Sequence, residues 1–387
     1  TLQIRGAWGL VGNDATNAGL FAYMEDLVLG GSDSYTTGIR QDTYYSGPSW
    51  NRYFNPDLTW EVGEKINLWL DLQLFNDFNL TFDIFREKRR DIFMTRENSI
   101  PEIVGTGETK ITSNNGEMEN KGLDLAIDYN KQITKDFFLS FKSTLTFARN
   151  KVLKMDESPY FEYPGLSDVG HPLGTYWGYV ADGLFPDQET IDNSPRQDLG
   201  YTPQPGDIKY VNQPNAKGEY DNVINSNDRV AIGHPYDPEL VYGFGPSMKW
   251  KNWDFSFFFQ GVARTSFMMY GMHPFGTTSI KNMLQFVADD HWSVDNPNPN
   301  AAYPRLTKDS NGNNDQYSTY WLRNAAFLKL KNAEIGYTYK GMRFYLSGVN
   351  LLTFSPFKHW DPEMGGGNGL YYPTQRVFNI GFQMTIQ

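Results

Sequence analysis

The sequence predicts an all-β chain folded as an antiparallel transmembrane β-barrel. Three observations predict it: segments that alternate apolar and polar residues for about ten positions at a time, connections that alternate between very short and very long, and no apolar run near the roughly 18 residues that a spanning helix requires. A mean hydropathy of -0.54 fits such a barrel, because strands with one apolar and one polar face average out to polar.

Period-2 reading predicts about ten strands, near 1–10, 60–75, 79–90, 118–130, 137–149, 240–250, 253–263, 326–339, 342–352 and 376–387. Most reach the roughly 9–11 residues a tilted strand needs to cross a bilayer, whereas soluble strands run nearer five or six. The short connections are "NDF" after Phe75, "KQITKD" after Asn130, "KN" between Trp250 and Trp253, and "KG" before Met342. The long ones fall near 11–59, 91–117, 151–239, 264–325 and 353–375. All long loops then leave one end of the strands, as in outer-membrane barrels with tight periplasmic turns and large extracellular loops. On that count the first strand runs outward and the last returns to the periplasm.

The faces follow from alternation. In "EKINLWLDLQLF", Ile66, Leu68, Leu70, Leu72 and Leu74 oppose Lys65, Asn67, Trp69, Asp71 and Gln73. In "MENKGLDLAIDYN", Leu123, Leu125, Ile127 and Tyr129 oppose Asp124, Ala126, Asp128 and Asn130. Leu139, Phe141, Leu145 and Phe147 repeat the scheme, as do Phe255, Phe257 and Phe259, and then Phe378, Ile380, Phe382, Met384 and Ile386. Alternation alone equally suits a soluble sheet with one packed face. Aromatics near strand ends (Trp250, Trp253, Tyr337, Tyr339, Tyr371, Tyr372) favour an interfacial girdle. The expectation is that Leu123, Leu125, Ile127 and Tyr129 face lipid and that Asp124 and Asp128 face the lumen.

Composition narrows the function. A formal net charge of -11, from 45 acids and 34 bases, offers no basic stripe for nucleic acid. The absence of cysteine removes disulfides, thiolate metal sites and cysteine nucleophiles. No G-x-S-x-G, H-E-x-x-H, P-loop or dinucleotide fingerprint occurs. His171, His234, His273, His291 and His359 are scattered through proposed loops, and acid pairs such as Asp289/Asp290 and Asp361/Glu363 are expected by chance among so many acids. The expectation is no enzyme. "MGGGNGLYY" (364–372) lacks the Lys of a phosphate loop and reads as a loop, while "TSIKNMLQFVADDHW" (278–292) reads as a short amphipathic helix. The chain opens in strand rhythm with neither an initiator Met nor a signal peptide, and reads as a piece of something longer.

Six ordered blocks carry a family resemblance: "NPDLTWEVGEKINLWLDLQLFNDFNLTFDIFREKRRDIF" (55–93), "NGEMENKGLDLAIDY" (115–129), "LGTYWGYVADGLF" (173–185), "DIKYVN…INSNDRVAIGHPYDPELVYGFG" (207–245), "YWLRNAAFLKLKNAEIGYTY" (320–339) and "SGVNLLTFSPFKHWDPE" (347–363). The chain resembles the C-terminal barrel half of SusC/RagA-like TonB-dependent transporters. The resemblance implies about the last ten strands of a roughly 22-stranded plugged barrel in the outer membrane of a diderm bacterium. It also implies the remaining N-terminal half of the same barrel as a partner, surrounding outer-membrane lipid, a SusD-like lipoprotein lid, energy from TonB, and import of oligosaccharides or oligopeptides. The plug and N-terminal extension have no counterpart here, so both sheet edges should pair with strands absent from this sequence.

Two departures bear on sites. Related loops often carry a calcium-like Asp/Asn run, but "VNQPNAKGEYDNVINSNDR" breaks the D-x-N-x-D-G spacing. Asp207, Asn212, Asn225, Asn227 and Asp228 are the only candidates for Ca2+, against an Asx-turn reading, and no other cofactor is expected. The chain also ends "MTIQ", without a terminal aromatic. For a glycan ligand, stacking surfaces and polar partners would come from the loop residues Tyr176, Trp177, Tyr179, Trp292, Trp360, Asp361 and Tyr371. Trp321 and Arg323 are expected to orient the loop into the following strand. The alternative is a secreted all-β carbohydrate-binding or glycoside-processing protein.

Overall fold

The computed structural model describes residues 1–384 except 16–20, 31–33, 97, 99, 101–102, 104–110, 159, 161, 271–283 and 308–309. One ten-stranded antiparallel sheet organises the chain: β1 (Leu2–Asn13), β2 (Glu61–Leu74), β3 (Phe78–Thr95), β4 (Thr112–Thr134), β5 (Phe137–Lys154), β6 (Leu240–Trp250), β7 (Trp253–Ala263), β8 (Phe327–Tyr339), β9 (Met342–Phe354) and β10 (Val377–Met384). Every strand pairs with its sequence neighbours, so the sheet is a meander with β1 and β10 at its two open edges.

The register joins the alternating faces of separate strands into one band. On one rung Ile4, Leu70, Phe82, Leu125, Leu145 and Tyr242 stand side by side, and on another Phe255, Ile335, Leu346 and Ile380. Four of these ten apolar residues are exposed, Ile4 61%, Ile335 38%, Leu346 53% and Ile380 88%, and the other six are partly exposed. Among the described residues no second sheet covers this face, which suits contact with lipid. The other face is polar and internally bonded: Thr146 Oγ1 donates to Asp124 at 2.6 Å, Lys142 lies 3.8 Å from Asp128, and Arg343 bridges Asp254 and Glu334. Asp124 and Asp128 therefore oppose the apolar band, as the alternation requires. Gly336 permits the Arg343 bridge, because a Cβ there would sit 2.5 Å from an Asp254 oxygen and 2.6 Å from an Arg343 nitrogen.

Short turns close one end. Lys340 and Gly341 both adopt positive φ (44° and 82°), the backbone a two-residue hairpin needs to match strand twist. Strand β4 continues to Thr134, so the expected six-residue "KQITKD" turn shrinks to Lys135 and Asp136. At this end Trp250 pairs with Trp253, which packs on Tyr337 with ring centroids 4.8 Å apart. Tyr371 and Tyr372 instead lie in the connection before β10, away from this aromatic cluster.

The long connections all leave the opposite end. Strands β3, β4 and β5 overrun their expected limits there, with β4 reaching 23 residues, about twice the crossing length. The hydrophobic core of the chain also lies there. The connections after β5, β7 and β9 pack together around Tyr179, Ile208, Tyr210, Ile224, Phe267, Met269, Val287, Tyr303, Trp321 and Phe357. Of the expected helix, residues 278–283 lie outside the described residues, and among the described ones Gln285–Asp289 is helical, with Val287 buried.

Candidate ligand-binding surface

Small strands stiffen the connections and isolated bridges join them. Tyr176–Gly178 pairs with Val230–Ile232 within the connection after β5 and Ser266–Met268 with Leu322–Asn324 within the one after β7, while Tyr179 bridges to Ser318 and Met269 to Gly367 between connections. Below them a polar hub replaces apolar packing. The fully buried Asp207 accepts from Arg305 Nε at 2.7 Å, Asn314 Nδ2 at 2.8 Å, Asn311 Nδ2 at 3.0 Å and the Gln204 N–H at 2.8 Å. A buried carboxylate is tolerated only when so paired. Tyr210 donates its hydroxyl to the Asn313 carbonyl at 2.8 Å, and burial pushes its pKa far up.

Of the five cation candidates, Asp207, Asn225 and Asp228 already accept hydrogen bonds from protein groups. Asp207 is occupied by Arg305 and the asparagine amides. Asp228 instead caps a turn, accepting the Gln213 and Asn225 N–H groups at 2.7 and 2.8 Å, while Asn225 accepts from the Asn227 N–H at 2.8 Å. Desolvation raises the Asp228 pKa despite those bonds. Asn212 is buried with neither side-chain amide atom hydrogen-bonded. Among the described residues no three His, Asp or Glu side chains converge as a metal site.

The seven ligand candidates divide by burial. Tyr179 and Trp292 are core residues, the former tilted against Tyr210 at 5.2 Å, the latter with a buried, unpartnered indole N–H. Trp177 is half-buried, donating to Asp168 at 2.6 Å beside the His171 ring. Trp360 donates to the Gly365 carbonyl at 2.9 Å and packs edge-on against Phe357. Asp361 is consumed by an ion-pair anchor: Lys329 Nζ lies 2.6 Å from its Oδ1 and 2.5 Å from Glu363 Oε2, with Thr374 donating to Asp361 as well. Trp321 is buried and donates to the Asn314 carbonyl at 2.6 Å, and Arg323 donates to the Tyr320 carbonyl at 2.6 Å, so both brace the segment entering β8.

Tyr176 and Tyr371 lie in one surface feature together with residues the sequence did not single out. Tyr176 is half-buried, its pKa pushed up to about 12 by burial, with the phenols of Tyr236, Tyr317 and Tyr270 around it. Tyr371 hydrogen-bonds Tyr270, which raises the Tyr270 pKa. The glycines of "MGGGNG" lie against these rings, Gly367 beside Tyr371 and Tyr270 and Gly365 beside the Tyr236 hydroxyl, and the positive φ at both positions (94° and 78°) is what favours glycine there. Tyr236, Tyr270, Tyr317 and Tyr371 are each about half exposed, at 56%, 51%, 48% and 54%. Five phenols drawn from three separate connections thus form one patch of ring faces and hydroxyls. Such a patch can stack on the C–H faces of sugars or apolar side chains and hydrogen-bond hydroxyls or amides. A spacing rule could not have found Tyr236, Tyr270 and Tyr317, because the patch exists only once the three connections have packed.

Comparison with known proteins places this geometry. No family model matches the chain. It is 27% identical over 420 aligned positions to TonB-dependent receptor P26 of Formosa agariphila, covering 99% of the chain and 40% of that protein. It is likewise 27% identical over 409 positions to TonB-dependent receptor SusC of Bacteroides thetaiotaomicron, covering 99% of the chain and 37% of the relative. Among solved structures, the RagAB peptide importer in its open-open state superposes with a TM-score of 0.72 at 20% identity, over all of this chain and 40% of that one. The chain spans about two-fifths of the length of these relatives.

Proposed function

We propose that this chain, the C-terminal part of the barrel of a SusC/RagA-like TonB-dependent outer-membrane transporter, supplies the barrel wall and part of the capture surface for TonB-driven import of oligosaccharides or oligopeptides. The observation that carries the proposal is the tyrosine patch, mounted on a folded loop body at the end of a wall whose outer face suits lipid. Capture needs a rigid, partly apolar surface bearing hydrogen-bond donors, and the patch combines both on loops braced by the Asp207 hub and the Lys329 anchor. In this reading a SusD-like lipoprotein closes over the loops, the missing half of the barrel completes the lumen, and TonB supplies the energy that opens it. The chain performs no bond chemistry of its own in this scheme. The likeness to the RagAB peptide importer favours peptides, and the patch chemistry serves sugars as well.

The test uses the full-length transporter in its native cells. Uptake of labelled oligosaccharide and oligopeptide pools is measured with and without TonB and in a Tyr270→Ala/Tyr371→Ala variant. Import of one class that requires TonB and drops at least tenfold at subsaturating substrate in the variant supports the reading. TonB-independent uptake, or full uptake by a surface-expressed variant, overturns it.

A further inference from the structure

The outward face changes character abruptly at one rung. Along β3, β4 and β5, the rung of Ile84, Leu123 and Phe147 closes the apolar band, and the next rung outward is Arg86, Lys121 and Arg149 in direct cross-strand register. Adjacent strands lie about 4.8 Å apart, so three cations fall within roughly 10 Å of one another. Like charges directly opposite one another destabilise a sheet unless anions intervene. A fourth cation extends the row, because Arg264 lies over the outward ring of Phe147 with its guanidinium 5.8 Å from the ring centroid.

Two carboxylates serve these four cations. Glu119 lies 2.6 Å from Arg86 and 3.3 Å from Lys121, and Glu239 lies 3.1 Å from Arg149 and 2.7 Å from Arg264. The acids are sunk into the wall, with side chains 12% and 4% exposed, while Arg86, Lys121 and Arg149 remain 53%, 64% and 52% exposed. The cluster therefore presents an excess of positive charge outward, on a chain whose formal net charge is -11. On β5 the apolar segment below the row runs from Phe137 to Phe147, which at about 3.3 Å per residue and a 40° tilt spans roughly the 25 Å apolar band of a barrel. The cations thus stand where outer-leaflet headgroups begin, on the long-loop side.

We propose that Arg86, Lys121, Arg149 and Arg264 form a docking site on the barrel exterior for the phosphate groups of an outer-leaflet phosphorylated glycolipid. The guanidinium groups bind phosphate oxygens in pairs, Lys121 adds a point charge between them, and the acyl chains lie on the apolar rungs beneath. This site depends on the outer-membrane location and not on which substrate is imported.

The test compares phosphorylated with enzymatically dephosphorylated lipid A, and with inorganic phosphate alone, on the full-length transporter in detergent micelles read by native mass spectrometry. Wild type should retain phosphorylated lipid A at least tenfold better than the dephosphorylated form. An Arg86→Gln/Lys121→Gln/Arg149→Gln variant that still shows heat-modifiable gel mobility should lose that preference, and an Arg86→Lys/Arg149→Lys variant should keep most of it. Equal retention of both lipids by wild type, an undiminished preference in the Gln variant, or inorganic phosphate displacing the lipid at equal concentration would overturn the proposal. The wild-type comparison decides the matter even if the Gln variant fails to assemble.

Discussion

Replacing Lys329 with Met should release the last long connection from the barrel wall. Lys329 is on the polar face only because of a bulge. Below it Ala333 and Ile335 point outward opposite Phe257 and Phe255, but the extra residue Lys331 shifts the phase, so Leu330 points outward opposite Phe259 and Lys329 turns inward opposite Gln260. There it is fully buried between Asp361 and Glu363, and Lys331 Nζ holds Glu363 at 2.7 Å. Removing one partner of a buried ion cluster costs about 3–5 kcal/mol, because the remaining charges stay desolvated. Taking about 3 kcal/mol and 1.4 kcal/mol per tenfold change, local opening of residues 355–376 should rise about a hundredfold. Hydrogen exchange of these amides in the full-length transporter reads that directly, with β4 amides as the internal reference. The double variant Lys329→Met/Asp361→Asn should exchange less than the single one, since it removes the stranded charge. Exchange within about threefold of wild type, or strictly additive effects, would refute the anchor.

The same anchor sets a pH response. Burial pulls the Asp361 and Glu363 pKa values up, but hydrogen bonds from Lys329, with Thr374 for Asp361 and Lys331 for Glu363, outweigh it and leave both below the ordinary 3.8 and 4.5. Depressed carboxylates stabilise above their unfolded values, so the protection factors of the loop amides, which correct for the intrinsic pH dependence of exchange, should be constant above about pH 5 and fall as pH drops through the folded values. Leu125→Arg, near the middle of the apolar band, should destabilise the barrel by about 2–4 kcal/mol in lipid, while Asp124→Asn on the opposite face should cost under about 1 kcal/mol; urea unfolding in liposomes distinguishes them. Gly122→Val should impair assembly by at least about 1–3 kcal/mol, since a Cβ there would lie 2.0 Å from the Phe147 carbonyl oxygen and 2.7 Å from the Phe85 ring; heat-modifiable mobility monitors it. Loss of ligand affinity in Tyr371→Ala but not in Trp292→Phe would separate the exposed patch from the core aromatics, read by equilibrium binding.

The sheet was legible in the sequence because period-2 alternation is a local property. Each strand records its own two faces, and Leu123 to Tyr129 needed no tertiary information to be placed opposite Asp124 and Asp128. The Lys331 bulge was not legible, because "FLKLKNAEIGYTY" alternates passably in either phase and only pairing with β7 decides the shift. The loop body was hidden for a different reason. Its core joins residues more than a hundred positions apart, such as Gln197 with Asn313 and Asp207 with Asn311. Tyr179 and Trp292 read as surface aromatics in the sequence because burial cannot be read from residue type alone, and Tyr236, Tyr270 and Tyr317 read as ordinary for the same reason.

Which face of the wall meets lipid decides the orientation of every strand. Single cysteines at positions 123 to 128 of the full-length transporter, a stretch within a chain that has no cysteine of its own, can be probed in intact outer membranes with a lipid-soluble and a water-soluble maleimide. Strict alternation is expected: Leu123→Cys, Leu125→Cys and Ile127→Cys react with the lipid-soluble reagent, and Asp124→Cys, Ala126→Cys and Asp128→Cys with the water-soluble one. The opposite phase, or equal reaction of all six with the water-soluble reagent, would contradict it.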